Sequence, residues 1–123
     1  MSTITREDMR VKVERALSEF GNLYTFDDIM GLIESGKMQS FTHGDTWIVT
    51  QVNEFPRRKV VDIALVVGFI EEATKALPQI YTFARSIGAD RVTAVGRDGW
   101  WKFAEPGWYR VGGYFAKDLT NGR

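Results

Sequence analysis

The segment from Lys59 to Val95 constrains the fold most, because a strand pattern, a helix pattern and a second strand pattern follow one another in it. It begins with KVVDIALVV, in which apolar residues occupy both alternating faces. A strand that is apolar on both faces is covered on both faces in the folded protein. The segment therefore predicts a layered α/β core with one strand–helix–strand unit, where a parallel strand pair is expected.

Two amphipathic helix patterns precede this segment. The first covers residues 6 to 20 behind a possible cap at Thr5, and the second follows Thr25, where Asp28 three positions later completes a capping box. The residues at helical spacing, which are expected to be buried, are Met9, Val13, Ala16, Leu17 and Phe20 in the first helix and Phe26, Ile29, Met30 and Ile33 in the second.

Three strand patterns joined by short turns come next. They cover Met38 to Phe41, Thr46 to Asn53 and Lys59 to Val67. Gly44 and Pro56 lie in the two connections, where glycine and proline favour tight turns. Short turns join antiparallel neighbours, so the three strands predict a meander.

Pro78 sets the predicted boundary of the next helix. Proline costs about 3 kcal/mol in a helix interior but is tolerated in the first turn. The main helix is therefore predicted from Leu77 to Ile87, with residues 69 to 76 forming a loop or a short helix. Further strands are predicted at residues 91 to 95 and at residues 108 to 115.

Composition limits the classes of function. The chain has 123 residues, which predicts a single domain over residues 1–123. It has 16 basic and 16 acidic residues, so no basic excess points to nucleic acid or to a membrane surface as a partner. No cysteine is present, which excludes disulfides and thiol chemistry. The polar start, MSTITREDMR, lacks the apolar core of a signal peptide, so a cytoplasmic protein is expected.

The order of the predicted elements resembles the GCN5-related N-acetyltransferase (GNAT) fold. The segment YTFARSIGADRVTAVGR resembles the central helix of that family and the strand after it, and GWWKFAEPGWYRV resembles its entry into the next strand. The implied fold class is α/β (α+β), with a mixed, mostly antiparallel sheet flanked by helices. The fragments GKMQSF and GRDGW and the hairpin from Asp45 to Pro56 also resemble small GNAT-like proteins encoded among virion genes of tailed bacteriophages.

The resemblance implies a site for acetyl-CoA after the central strand, where a glycine-rich loop and a helix N-terminus bind the pyrophosphate. The matching segment reads GFIEEA, with one glycine and two carboxylates. Like charges repel, so the sequence predicts that no cofactor binds. If an acyltransferase activity were retained, the residues nominated to bind acetyl-CoA are Gly68, Phe69, Ile70 and Ala73.

Catalytic residues are equally hard to find. The resemblance implies a tyrosine as general acid, but Trp101 and Phe103 stand at the matching positions and Tyr109 is displaced from them. The candidates for a base are Glu54, at a hairpin end, and Asp62, on the central strand. The structural alternatives are a solvated turn residue for Glu54 and, for Asp62, a pairing with Arg85, Arg91 or Arg97.

The C-terminal third carries a candidate contact surface. Tryptophans at 100, 101 and 108 lie close together in sequence, and Arg97 lies in the glycine-flanked turn before them. Trp100, Trp101, Trp108 and Arg97 are therefore the predicted interface residues, with a core corner as the alternative for the tryptophans and a purely structural turn for Arg97. The single histidine, His43, has no nearby partners, so no metal site is predicted.

Three functions fit these observations. The leading prediction is a non-enzymatic GNAT-like protein that acts through protein–protein contacts, as a bacteriophage virion or assembly component. Its partners would be other virion proteins or further copies of itself, and it would enter the virion from the cytoplasm. The second is an acyl-CoA-dependent N-acyltransferase with a diverged cofactor loop. The third is a small-ligand binding module that uses the cleft between the Val60 and Arg91 strands.

Overall fold

A four-stranded sheet between two helical layers forms the described part of the protein. The computed structural model describes residues 6–19, 23–94, 106–112 and 117–119. The elements are α1 (Arg6–Glu19), α2 (Phe26–Glu34), β1 (Met38–His43), β2 (Thr46–Glu54), β3 (Lys59–Val67), α3 (Ile70–Ser86) and β4 (Arg91–Ala94). The strands lie in the order β1-β2-β3-β4, with antiparallel pairs except for the parallel pair β3–β4. The predicted mixed sheet, its meander and its parallel pair are confirmed.

The start of α2 follows from local hydrogen bonds. Thr25 Oγ1 accepts from the backbone N–H of Asp28 at 3.1 Å, and Asp28 Oδ2 accepts from the N–H of Thr25 at 2.9 Å. These two bonds satisfy donors that the first helical turn leaves without intrahelical partners. The predicted capping box is therefore confirmed, whereas the proposed cap at Thr5 lies outside the described residues.

The predicted split of the third helix is wrong. α3 is continuous from Ile70 to Ser86, with Pro78 in its interior. Pro78 is exposed, so the carbonyl that loses its donor can bind water instead. The helix continues because its buried face extends on both sides of Pro78 and packs on the sheet throughout. The buried residues of this face are Ala73, Ala76, Leu77, Ile80 and Ala84.

The predicted last strand is not formed in its described part. Residues 108 to 112 are irregular, and Gly112 has φ +64°, a left-handed value incompatible with a strand. Residues 113 to 116 lie outside the described part.

Two buried clusters cover the two faces of the sheet. The cluster under α1 and α2 contains Val13, Leu17, Phe26, Ile29, Met38, Trp47, Val49, Leu65 and Val67. The cluster under α3 contains Ile48, Val61, Ile63, Ala73, Ala76, Leu77, Ile80, Ala84 and Ala89. Consecutive residues of β2 therefore pack in opposite layers, as the alternation of side chains along a strand predicts.

A β-bulge changes the phase of β3. Val49 pairs with Leu65, but the next residue, Thr50, pairs with Ile63, so Ala64 has no opposing residue. Leu65 accordingly packs in the α1/α2 cluster, whereas Ile63 packs in the α3 cluster. None of the helices in the described part of the chain has the length and apolar character needed to cross a bilayer.

Candidate functional site

The N-terminus of α3 is the position at which the GNAT resemblance places a cofactor loop. Gly68 leads from β3 into this helix with φ +135°. A Cβ atom built on Gly68 would lie 2.8 Å from the Cα of Thr46, closer than real Cβ atoms approach backbone. Glycine is therefore needed here for packing against β2, which is a structural reason for its presence.

A network of hydrogen bonds ties this helix to the β1–β2 turn. Thr46 Oγ1 accepts from the backbone N–H of Phe69 at 2.8 Å and donates to Glu72 Oε1 at 2.7 Å. The same Glu72 oxygen accepts from the N–H of Asp45 at 3.2 Å. These four residues are called the Thr46–Glu72 network below. Gly44 lies beside it with φ +59°, a left-handed value that favours glycine, and a Cβ atom there would displace the Glu72 carboxylate.

The network leaves a mixed set of groups at the helix N-terminus. The amide of Phe69 is bonded to Thr46, and the amide of Ala73 donates to the carbonyl of Phe69 at 3.0 Å. The amide of Ile70 and those of Glu71 and Glu72 have no acceptor among the described residues. The acidic residues Glu71 and Glu72 both belong to this first turn. The end of the helix thus combines open donors with two negative charges.

Asp62 is held by polar neighbours on the adjacent strands. Its carboxylate accepts from Thr93 Oγ1 at 2.7 Å and lies 3.5 Å from Gln51 Nε2. Gln51, Asp62 and Thr93 are directly paired across β2, β3 and β4. Neither Arg85 nor Arg91 forms an ion pair with Asp62 in the described part of the structure, and Arg97 lies outside it.

The polar partners of Asp62 were missed by the sequence reasoning. Gln51 could have been found, because the short β2–β3 turn fixes which residues are opposite each other. Thr93 could not, because a parallel register depends on how the intervening helix packs.

The other two catalytic candidates are exposed. Glu54, at the end of β2, lies 3.9 Å from Lys59 Nζ. Tyr109 is 59% exposed, and the guanidinium carbon of Arg91 lies 6.0 Å from its ring centre. No hydrogen bond or ion pair in the described structure joins any two of Glu54, Asp62 and Tyr109.

Of the predicted interface residues, the structure describes Trp108. Its indole Nε1 donates to the Tyr81 hydroxyl at 3.1 Å, and the half-buried ring packs against the α3 cluster. Trp100, Trp101 and Arg97 lie outside the described residues. Among the described residues, no three acidic or histidine side chains are grouped closely enough to hold a metal ion.

A cleft of about 630 Å³ opens at the other end of the sheet, beside the β2–β3 turn. It is lined by Asn53, Phe55, Pro56, Arg57, Arg58, Val60, Arg91 and Thr93. We call it the arginine cleft. Asn53, Val60 and Arg91 are adjacent across three strands and form its floor.

Comparison with known proteins supports the fold and goes no further. No family model matches the sequence, and no curated protein matches it significantly. A probable acetyltransferase of known structure is similar over 93% of this chain and 90% of its own, with TM-score 0.62 and 9% identity. An aminoglycoside acetyltransferase from an uncultured soil metagenomic sample matches over 89% of this chain and 88% of its own, with TM-score 0.62 and 9% identity.

A mutant of the protein TTHA1254 from Thermus thermophilus aligns over 100% of both chains, with TM-score 0.60 and 13% identity. At such identities these similarities show a GNAT-like fold. They leave the activity of this chain open, because one fold can serve many functions.

Proposed function

We propose that this GNAT-like protein does not use acyl-CoA and acts through contacts with other proteins, as a component of a bacteriophage virion or of its assembly. The Thr46–Glu72 network carries the proposal. It fixes a carboxylate at the helix end where a cofactor of this fold would place its pyrophosphate, and a second carboxylate, Glu71, lies in the same turn.

Electrostatics favours exclusion of a pyrophosphate from this turn. Two like charges about 4 Å apart repel by about 4 kcal/mol at an effective dielectric constant of about 20. The helix dipole attracts an anion by up to about 2 kcal/mol in a partly buried geometry. The repulsion from Glu71 and Glu72 is therefore the larger of these two terms.

The candidate catalytic groups support the same proposal. A general base needs a free oxygen near the acceptor amine. The carboxylate of Asp62 already accepts a hydrogen bond from Thr93, which stabilises the sheet. Tyr109 is not bonded to either acidic candidate, so no acid–base pair is assembled among the described residues.

The virion assignment is supported by the resemblance of GKMQSF, GRDGW and the hairpin from Asp45 to Pro56 to phage-encoded GNAT-like proteins. On this proposal the protein is made in the host cytoplasm and binds other virion proteins there. It is tested by purifying virus particles from the producing cells and probing them for this chain. Its absence from both particles and assembly intermediates would overturn the virion assignment and leave the loss of acyl-CoA binding as a separate question.

Loss of cofactor binding is tested by calorimetric titration with CoA and acetyl-CoA. We expect no heat of binding to the wild type at millimolar ligand. The matched variant is Ile70→Pro, which removes one open amide at the first helical position, where proline is tolerated. Phe69 already has the extended backbone that a residue before proline requires, with φ −108° and ψ 134°. Sub-millimolar binding that Ile70→Pro weakens would overturn the proposal.

One observation favours a second candidate, an acyl-CoA-dependent N-acyltransferase. The amides of residues 70, 71 and 72 lack described acceptors, and open helix amides are the groups that bind phosphate. The same titration separates the two functions, and an acetyl-transfer assay with free-thiol detection then identifies the acyltransferase directly.

A further inference from the structure

We infer that the arginine cleft binds an acidic, extended segment of a partner protein, with carboxylates on the arginines and an apolar side chain against the cleft walls. The inference rests on the proposed function only in taking the partner to be a protein. The cleft lies at the β2–β3 turn, whereas the network that argues against acyl-CoA lies at the start of α3.

Two of the three arginines in the cleft are available to a ligand. Arg58 is paired with Asp90 at 3.3 Å. Arg57 and Arg91 have no carboxylate partner among the described residues. A single unpaired arginine is ordinary on a protein surface. Two that line one concave cleft form a site matched to carboxylates, because the guanidinium group presents paired N–H donors.

The acidic groups near the cleft do not neutralise these two arginines. Glu54 lies 3.9 Å from Lys59 Nζ, and Asp90 is paired with Arg58. Asp62 accepts its short hydrogen bond from Thr93. The surplus positive charge therefore belongs to Arg57 and Arg91.

The side chains of Phe55 and Pro56 make part of the cleft lining apolar. Phe55 is 57% exposed and lies in the turn that its own N–H closes by donating to the carbonyl of Arg58 at 2.7 Å. Tyr109 does not line the cleft, but it is 59% exposed, and its ring centre lies 6.0 Å from the guanidinium carbon of the cleft residue Arg91. Aromatic and arginine side chains together are the groups that contribute most at protein interfaces.

The size and charge of the site favour a peptide over nucleic acid. A volume of about 630 Å³ holds a few side chains. The chain as a whole has no net charge, so it lacks the long-range attraction that nucleic-acid binding draws on. The cleft also offers the side-chain amide of Asn53, which can pair with a peptide backbone, and the hydroxyl oxygen of Thr93, which can accept a hydrogen bond while its proton is donated to Asp62.

The test uses the full chain and a fluorescein-labelled peptide of alternating glutamate and phenylalanine, followed by fluorescence anisotropy. We expect binding that weakens with added salt. The double variant Arg57→Gln/Arg91→Gln should weaken binding by about tenfold or more, because two charge-assisted contacts are lost. The matched control is Lys12→Gln/Arg15→Gln, which removes the same charge from exposed positions on α1 and should change binding by less than about twofold.

Three outcomes would overturn the inference. They are no binding of the peptide to the wild type, an equal loss in the cleft and control variants, and equal or tighter binding of a thymidine oligonucleotide that the cleft variant also abolishes. Thermal unfolding of both double variants checks that they fold. If the peptide does not bind and CoA does not bind, the inference fails while the proposed function stands. If CoA binds the wild type, the proposed function fails irrespective of the peptide.

Discussion

At the scale of single residues, the most consequential feature is the hydroxyl of Thr46. Its side chain is buried at 1% exposure, so it must satisfy its hydrogen-bonding groups within the protein. It does so by accepting from Phe69 and donating to Glu72. Sequence reasoning saw Glu72 only as a charge that repels phosphate, because Thr46 lies 26 residues away and their contact depends on the packed sheet.

Replacement of Glu72 by alanine tests this structural role. We expect Glu72→Ala to lower the free energy of unfolding by about 1.5 to 3 kcal/mol, because the Thr46 hydroxyl and the Asp45 amide lose their charged acceptor. Glu71→Ala is the matched control: its side chain is exposed in the same helical turn, and a change within about 0.5 kcal/mol is expected. Urea unfolding followed by circular dichroism measures both. Equal effects would show that helix-end charge alone, rather than the network, stabilises the protein.

Gly68 provides a second test at this scale. Gly68→Ala should lower the free energy of unfolding by more than about 2 kcal/mol, because the new methyl group meets backbone of Thr46 at a positive φ. Gly88→Ala also introduces a side chain at positive φ, +78°, but nothing lies within 4 Å. We expect it to cost about 1 kcal/mol from backbone strain alone. A melt of each variant distinguishes strain from steric conflict, and similar losses would remove the packing argument for Gly68.

At the scale of elements, the sequence predicted best what local chemistry determines. β2 and β3 end close to the predicted positions because turn residues mark their ends. Likewise, α2 begins at its predicted capping box. The prediction failed in the third helix, where the local effect of a proline was weaker than the packing of a long buried face. The proline rule ended the third helix at Pro78, but the buried stripe from Ala73 to Ala84 holds the helix on the sheet on both sides of it.

The candidate site was predicted less well than the fold. The position of Asp62 on the central strand was correct. Of its expected arginine partners, Arg85 and Arg91 do not pair with it, and Arg97 lies outside the described residues. A splayed cleft between the Val60 and Arg91 strands was expected from sequence, but these strands pair directly, with Val60 opposite Arg91. The cleft that forms lies beside the β2–β3 turn, and its joint lining by Arg57 and Arg91 was not predicted. The proximity of these arginines comes from the parallel register of Val60 with Arg91, which no local pattern records.

Pro78 makes the third helix a place where the protein can be stabilised. We expect Pro78→Ala to raise the free energy of unfolding by about 1 to 2 kcal/mol, since it restores a helix donor at an exposed position. This gain in stability is smaller than the full cost of an interior proline. Alanine also raises the conformational entropy of the unfolded chain, which opposes the gain. Gln79→Ala, the exposed neighbour, should change stability by less than about 0.5 kcal/mol. A destabilised Pro78→Ala variant would show that the proline shapes the helix for its packing.

At the scale of the whole molecule, the sheet connects two helical layers through shared strands. Ile48 and Val49 are neighbours in β2 but belong to opposite clusters. A loss of packing on one face therefore reaches the other through the same backbone. The two layers are expected to unfold as one cooperative unit, as small domains usually do.

One large-to-small substitution in each layer checks this expectation. Phe26→Ala, in the α1/α2 cluster, should cost about 3 to 5 kcal/mol, and Ile80→Ala, in the α3 cluster, about 2 to 5 kcal/mol. In both variants the transitions seen by tryptophan fluorescence and by far-ultraviolet circular dichroism should coincide. Separate transitions in either variant would show that the layers are independent folding units.

The bulge in β3 makes Ala64 a switch of parity along the central strand. On its N-terminal side the odd-numbered residues Val61 and Ile63 face the α3 layer, and on its C-terminal side the odd-numbered residues Leu65 and Val67 face the α1/α2 layer. Deleting this one small residue would make Ile63 and Leu65 direct neighbours opposite Thr50 and Val49, with which they already pair, so both would keep their layers. Deleting Asp62 instead would make Val61 and Ile63 neighbours, and one of these two buried side chains would have to turn to the opposite layer. The strand thus tolerates the loss of its bulge residue more readily than the loss of a paired one.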